Sequence, residues 1–309
     1  MKLYLNRRPV SGPWGGGNKS LSLLEKYILE EESISLTYDL SEPDIDVIFC
    51  IDPKPDGQGI WYQDFINYKN NINNKVKVIQ RVGDLGTHRG NEITQLVGQT
   101  INYSDFLIFP SNWARKAIGF NKSNYVVIQN KPMAAFYSKR NKSSNLKNKV
   151  KIVTHHWSDN PKKGFEIYQG FGKMISSRED VEFTYIGRYN NNFTSEGITI
   201  VDPMNMQQLS AFLPNFDFYL TASELEAGAN HVLEGIAAGL PVLYRTGGGS
   251  IDEYCFDYGV EYRGLEDIDN ALTSCIKNYN LLKSKVMNFN TSLESQIRSY
   301  IDVIKHVAE

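Results

Sequence analysis

Short apolar strands alternate with helical segments along this chain, and the alternation starts again near its middle. "KLYLN" (2–6) reads as a strand, "RRPVSGPWGGGN" (7–18) as a loop, and "KSLSLLEKYILEE" (19–31) as a helix with Leu21, Leu24, Tyr27 and Ile28 on one face. Strand, glycine-rich loop and helix open an α/β domain. Strands at "DVIFCID" (46–52), "VKVIQRVGD" (76–84), "DFLIFPS" (105–111) and "NYVVIQN" (124–130) continue the pattern, with helical stretches between most of them. The polar stretch "NKPMAAFYSKRNKSSNLKNKV" (130–150) interrupts it. "VKIVTHHWS" (150–158) and "KGFEIYQGFGKMISSR" (163–178) then restart it. A chain of 309 residues exceeds what one core usually serves. The expectation is two Rossmann-like α/β domains, 1–147 and 148–290, followed by an amphipathic helix within 291–309 and facing each other across a cleft.

Bulk properties narrow the function. The net charge of −2 gives no global pull toward nucleic acid or an anionic membrane. The three cysteines, Cys50, Cys255 and Cys275, are far apart and form no CxxC, so neither a zinc site nor a disulfide framework is expected. The N-terminus lacks the apolar core of a signal peptide, and no run of eighteen apolar residues occurs, so a cytoplasmic protein is expected. Residues 115–151 hold ten Lys or Arg and no Asp or Glu. That stretch is either a solvated rim or a peripheral contact with a membrane or polyanion. The glycines of "PWGGGN" (13–18) do not form GxGxxG, and no acidic residue closes the second strand in the fingerprint's place. A dinucleotide cofactor is therefore disfavoured.

The most informative segment is "ELEAGANHVLEGIAAGLP" (224–241), with Glu226 and Glu234 eight residues apart. The strand before it should end near Ser223. Ligands of open α/β sheets bind beyond the carboxyl ends of strands, which puts "ELEAGAN" at the ligand edge. Asn230 reads as the cap of a helix "HVLEGIAA" stopped by Gly239 and Pro241. Ala227, Gly228 and Ala229 allow close approach to the backbone, and the amides of a helix start favour an anion such as a diphosphate. Glu234 has the acceptors for two neighbouring ribose hydroxyls, and Glu226 for those of a sugar.

This spacing, followed by "GIAAGLPVL" and "TGGG", resembles the donor-binding signature of the retaining GT-B glycosyltransferases, family 4 in particular. The resemblance extends over most of the chain. "NMQQLSAFLPNFDFYLTAS" (205–223) is similar to the helix and strand before the motif, "NPKKGFE" (160–166) to the Lys-Gly step, and "SDFLIFPSNWARKAI" (104–118) to the last unit of the first domain. It implies a GT-B fold, with the closing helix packed back on the first domain. It also implies a nucleotide-diphosphate sugar as donor, retention of configuration, and neither a bound metal nor a cofactor. By motif position, Glu226 sits by the donor sugar and Glu234 by the ribose. Backbone amides around Gly228, Ala229 and Asn230, and Lys163 just before Gly164, serve the sugar and the diphosphate. The family often has an Arg where this chain has Ser158, so Lys162 or a neighbouring His is expected to compensate.

Further candidates follow from position. Gly16 and Gly17 lie in the first loop, which the resemblance turns toward the diphosphate and acceptor; Asn18 there is a contact or a helix cap. Asp84 and His88, in "RVGDLGTHRG" (81–90), are an acid and an imidazole after the fourth strand, placed to orient an acceptor hydroxyl or the sugar. Arg81 is an anion contact or a strand-end salt bridge. His231 borders the helix start. Gly247 and Gly248, in "TGGGSIDE" (246–253), can approach phosphates. His155 and His156 are adjacent on a strand and point to opposite faces, so they do not share one metal in regular geometry. The acceptor, the sugar, the base and the oligomeric state stay open. The alternatives are a GT-B nucleotide-sugar epimerase and an inactive nucleotide- or carbohydrate-binding protein.

Overall fold

The computed structural model describes residues 1–10, 16–87 and 91–309, without side-chain surroundings for Gly16 and 91–94. The chain divides into two compact units, Met1–Gln129 with Leu293–Glu309, and Asn130–Ser292.

The first unit holds β1 (Lys2–Leu5), α1 (Gly16–Leu29), β2 (Ser35–Thr37), β3 (Val47–Cys50), α2 (Tyr62–Asn71), β4 (Lys77–Arg81), α3 (Asn91–Thr100), β5 (Phe106–Phe109), α4 (Asn112–Ala117) and β6 (Tyr125–Val127). Its strands form one parallel sheet in the order β2-β1-β3-β4-β5-β6. β3 is buried at every position, as expected of a parallel strand covered on both faces.

The second unit holds α5 (Ala135–Ser138), β7 (Val150–His156), α6 (Phe165–Ile175), β8 (Val181–Gly187), β9 (Ile198–Val201), α7 (Met206–Phe212) and β10 (Phe218–Thr221). It continues with α8 (Asn230–Ala237), β11 (Val242–Arg245), α9 (Ser250–Cys255), β12 (Gly259–Tyr262), α10 (Ile268–Lys277) and α11 (Tyr279–Asn288). The sheet is again parallel, in the order β12-β11-β10-β7-β8-β9. Chain order reverses between β7 and β10, and such a switch point is where open α/β sheets take ligands, beyond the carboxyl ends of the strands. Two apolar cores flank the sheet. One contains Phe165, Phe171, Phe183 and Leu220, the other Val153, Tyr219, Val232 and Ile236.

The last helix, α12 (Leu293–Ala308), buries Leu293, Gln296, Ile297, Tyr300, Ile301 and Ile304, a stripe with three- and four-residue spacing. It packs on α1, β3 and β4 of the first unit. Arg81 donates from Nε to the Tyr300 hydroxyl at 2.9 Å, and Lys305 pairs with Glu31 at 3.0 Å.

The boundary falls at 129/130, not near 147. The stretch 130–147 is polar, yet it is tied into the second unit through its backbone and guanidinium. Phe136 is fully buried there. Arg140 donates to the carbonyls of Val286 at 2.6 Å, Met287 at 3.1 Å and Phe289 at 3.0 Å. The Asn141 amide donates to Ala238 O at 2.8 Å and its side chain to Phe216 O at 2.6 Å.

Candidate functional site

Most of the singled-out side chains converge at the carboxyl ends of β7 and β10. After β7 the chain makes a short 3-10 turn, Pro161–Lys163, capped by Asn160, whose side chain accepts from the Lys162 amide at 2.9 Å. Gly164 follows at φ 79°, and a Cβ there would lie 2.4 Å from Ala222 O. Only glycine brings this turn so close to the end of β10. Lys162 O then accepts from the Glu224 amide at 2.9 Å, joining the two loops.

Two ion pairs continue that junction. Lys163 Nζ lies 2.6 Å from Glu226 Oε1, and Lys162 Nζ lies 3.1 Å from Glu224 Oε2. Arg245, at the end of β11, reaches Glu224 Oε1 at 2.5 Å and Glu166 at 3.5 Å. Between the two glutamates, Leu225 has φ 54°, the one positive φ outside glycine among the described residues. A non-glycine residue held there marks a backbone over-determined by its surroundings. Ser158 accepts from the Asn160 amide at 3.2 Å. It braces the turn, while the cations of the region are Lys162, Lys163 and Arg245.

Glu226 also pairs its backbone with the "TGGG" turn. Its amide donates to Gly248 O at 3.0 Å, and its carbonyl accepts from Ser250 N at 2.8 Å. Gly249 adopts φ 78°, ψ −119°, and a Cβ there would stand 2.5 Å from Glu226 O. Gly247 is exposed at the tip of the turn and Gly248 is buried under it. Asp252, which sequence reasoning passed over, accepts from the Gly247 amide at 3.2 Å. Burial pushes its carboxyl above the usual range, and its Oδ1 is buried without a hydrogen-bond partner. Ser223 Oγ is likewise buried without a hydrogen-bond partner.

The start of α8 differs from expectation in two respects. Ala229, not Asn230, is the N-cap, and Asn230 is the first helical residue. The Ala229 amide donates to Ser250 Oγ at 2.9 Å, and Gly228 O accepts from Asn130 at 3.2 Å. Ala229 N is therefore engaged within the protein rather than presented to an anion.

Three imidazoles lie beside this edge. His155 Nε2 is 2.8 Å from Glu234 Oε2, and its Nδ1 is 3.0 Å from the Tyr219 hydroxyl. His231 points inward, with Nε2 2.9 Å from Thr221 Oγ1 and its ring 5.0 Å from that of His156. His156 Nε2 is 2.7 Å from the Tyr168 hydroxyl. Burial pushes the Tyr168 phenol up to about 12 and Tyr219 well above its usual value, so both are neutral hydroxyls. Polar residues interrupt β7 at Thr154, His155 and His156, all buried. Burying them requires hydrogen-bond partners, and each has one here.

In the first unit, Gly16 and Gly17 begin α1. Asn18 lies inside that helix rather than capping it, and its side chain exchanges hydrogen bonds with the Val10 backbone at 2.9 and 2.8 Å. Asp84 is exposed and accepts from the Gly86 amide at 2.8 Å, a turn within its own loop. His88 lies outside the described residues. In the basic stretch, Lys149 and Lys151 pair with Glu182 and Arg140 is taken up by carbonyls, which thins its exposed charge. Among the described residues no group of three or more His, Cys, Asp or Glu side chains could hold a metal ion. Among them, too, no helix is long and apolar enough to cross a membrane.

No protein-family model matches the chain, and no curated protein matches it. Solved structures do. TarM superposes with a TM-score of 0.62 at 13% identity over 93% of this chain, which spans 57% of TarM's length. Sucrose-phosphate synthase from Thermosynechococcus elongatus gives 0.66 at 10% identity, covering 99% of both chains. Anabaena HepE in complex with UDP-glucose gives 0.68 at 12% identity, again over 99% of both. At such identities the likeness speaks for the fold alone: two Rossmann-like α/β units in one chain, the fold of the GT-B glycosyltransferases.

Proposed function

We propose that the chain is a retaining glycosyltransferase of the family 4 type, moving a sugar from a nucleotide-diphosphate sugar to a hydroxyl acceptor without a metal. One observation carries the reading. Lys163 and Glu226 pair in the loops that follow β7 and β10, the strands at the switch point of the second sheet, and Glu234 on α8 bonds His155 at the end of β7. The UDP-glucose held by HepE, on the same fold, supports the donor class.

In this mechanism the acceptor oxygen bonds to the anomeric carbon on the face from which the diphosphate departs. The carbon–oxygen bond to the phosphate breaks, and the leaving phosphate oxygen takes the acceptor proton. Charge gathers on the diphosphate, where Lys163 and the first-turn amides of α8 stabilise it. Lys162 and Arg245, bridged by Glu224, add positive charge nearby. Glu226 positions the sugar and Glu234 the ribose. Gly247, exposed at the tip, lets the donor phosphates approach the turn, whereas Gly248 packs inward on Ile251 and does not. Asp84 and His88 keep their assignment to the acceptor side.

A thermal-shift screen against UDP, GDP, ADP, CMP and NAD⁺, with Mg²⁺ and with EDTA, tests the reading, because a ligand of the native state raises its stability. A shift with one nucleoside diphosphate that survives EDTA supports a metal-independent transferase. A shift with NAD⁺ alone sinks it.

A further inference from the structure

We propose that His155 is a positioning residue that holds Glu234 ready for the nucleotide ribose, with Tyr219 behind it as the latch. The inference rests on the nucleotide-sugar reading above for the ligand, but on its own geometry for the relay. The Glu234 carboxylate has one hydrogen-bond partner among the described residues, His155 Nε2 at 2.8 Å on Oε2. Oε1 has none there, and the side chain is 18% exposed. One oxygen is thus anchored and the other is presented.

The Glu234 carboxylate only accepts, so it is met by hydrogen on His155 Nε2, and on the other side of the ring stands the Tyr219 hydroxyl, able to face Nδ1 as donor or as acceptor. The hydroxyl accepts from the His155 amide at 3.1 Å and has two places to donate, His155 Nδ1 at 3.0 Å and His155 O at 3.3 Å. With a neutral ring, hydrogen on Nε2 leaves Nδ1 to accept from the hydroxyl. With a charged ring, Nδ1–H donates to the hydroxyl oxygen and the hydroxyl donates to the carbonyl. In both states Nε2–H faces Glu234, so the carboxylate always meets a donor. A flexible glutamate is held in one rotamer before the ligand arrives, and such preorganisation raises affinity by cutting the ordering cost.

The relay sits where it can matter. His155 is on β7 and Tyr219 on β10, the two strands flanking the switch point, while Glu234 is on α8. Tyr219 is fully buried, and its ring packs edge-on against His155 with centroids 5.5 Å apart.

The experiment compares affinity for the nucleoside diphosphate (UDP, GDP or ADP) giving the largest thermal shift with affinity for its 2′,3′-dideoxy form. Wild type, His155→Leu, His155→Gln and Tyr219→Phe are measured. The wild type should prefer the ribose form, and His155→Leu should lose roughly tenfold of that preference. His155→Gln, which keeps an N–H donor, should restore part of it, and Tyr219→Phe should fall between. A structural role alone would lower stability and leave the preference intact. A folded His155→Leu, or Tyr219→Phe if the first fails to fold, with wild-type preference overturns the relay. A wild type that binds diphosphates without preferring ribose instead overturns the role of Glu234, and the relay's purpose with it. Should no nucleotide bind, nitrogen NMR of His155 decides the geometry alone. Hydrogen on Nε2 that responds to Glu234→Gln supports the relay, and a neutral ring protonated on Nδ1 overturns it.

Discussion

Lys163 and Glu226 meet at 2.6 Å, Nζ to Oε1, with 12% and 13% of their side chains exposed. They belong to different loops of the second unit, and the pair joins those loops where the diphosphate and sugar are proposed to lie. Removing one partner of a buried pair leaves a charge without compensation, whereas removing both can be nearly neutral. With solvent still reaching the pair, Lys163→Met or Glu226→Gln alone should cost about 1–3 kcal/mol in urea unfolding, and the double variant less than their sum. Additive costs would mean that the contact is absent in solution.

The same pair separates binding from chemistry. Glu226→Gln should slow transfer by about tenfold or more while affinity for the bare nucleoside diphosphate changes little, the signature of an interaction with the sugar. Lys163→Met should weaken the diphosphate more than the monophosphate. Parent-like turnover in Glu226→Gln removes that residue from the site.

Glu234→Ala should weaken nucleotide binding by about 1–3 kcal/mol, the range for losing hydrogen bonds to a charged acceptor. Isothermal titration of the folded variant checks it. Unchanged affinity rejects the ribose assignment.

The turn glycines should differ sharply. Gly249 adopts φ 78°, ψ −119°, and a Cβ would press on Glu226 O at 2.5 Å. Gly249→Ala should therefore cost about 2–4 kcal/mol, combining a glycine-only conformation with a clash. Gly247, at φ 80° with nothing within 4 Å of a Cβ, should cost only about 1 kcal/mol as alanine. Urea midpoints of the two variants rank them, and equal losses would sink the argument.

Local sequence carried the sheets and much of the edge, because the signals for them are local. Strand–helix alternation is a period visible in one window, whereas Gly164 and Gly249 approach backbones 58 and 23 residues away, at Ala222 and Glu226. The relay from Tyr219 through His155 to Glu234 was invisible, since it joins residues 64 and 79 positions apart across two strands and a helix. The interruption of apolar β7 by Thr154, His155 and His156 was the available signal. The boundary near 147 was misplaced because Arg140 and Asn141 dock through hydrogen bonds to carbonyls, which hydropathy does not register. Asn230 looked like a cap by residue type, but Ser250 from another helix took the Ala229 amide. α11 went unmarked because its buried stripe of Tyr279, Leu282 and Val286 includes Lys283.

Lys283 gives the pH prediction. It is 4% exposed, and Nζ donates to Gly239 O at 2.6 Å. Burial lowers its ammonium from 10.5 to about 8; nearby Asp217 opposes the shift and Arg140 adds to it. The folded protein sheds this proton near pH 8, while the unfolded chain keeps it to about 10.5. Between those values the unfolded state binds more protons, so this group's contribution to stability rises with pH, by about 1.4 kcal/mol per unit. The buried thiols of Cys50, Cys255 and Cys275, all raised by burial, act the other way once the unfolded thiols ionise above their usual 9. The test is therefore a difference between wild type and Lys283→Met, in which the thiols cancel. Stability of wild type relative to the variant should climb between pH 8 and 10, by about 2–3 kcal/mol in total. A difference that stays flat across that window would show that Lys283 remains charged in the fold, with its ammonium solvated or paired more strongly than its burial implies.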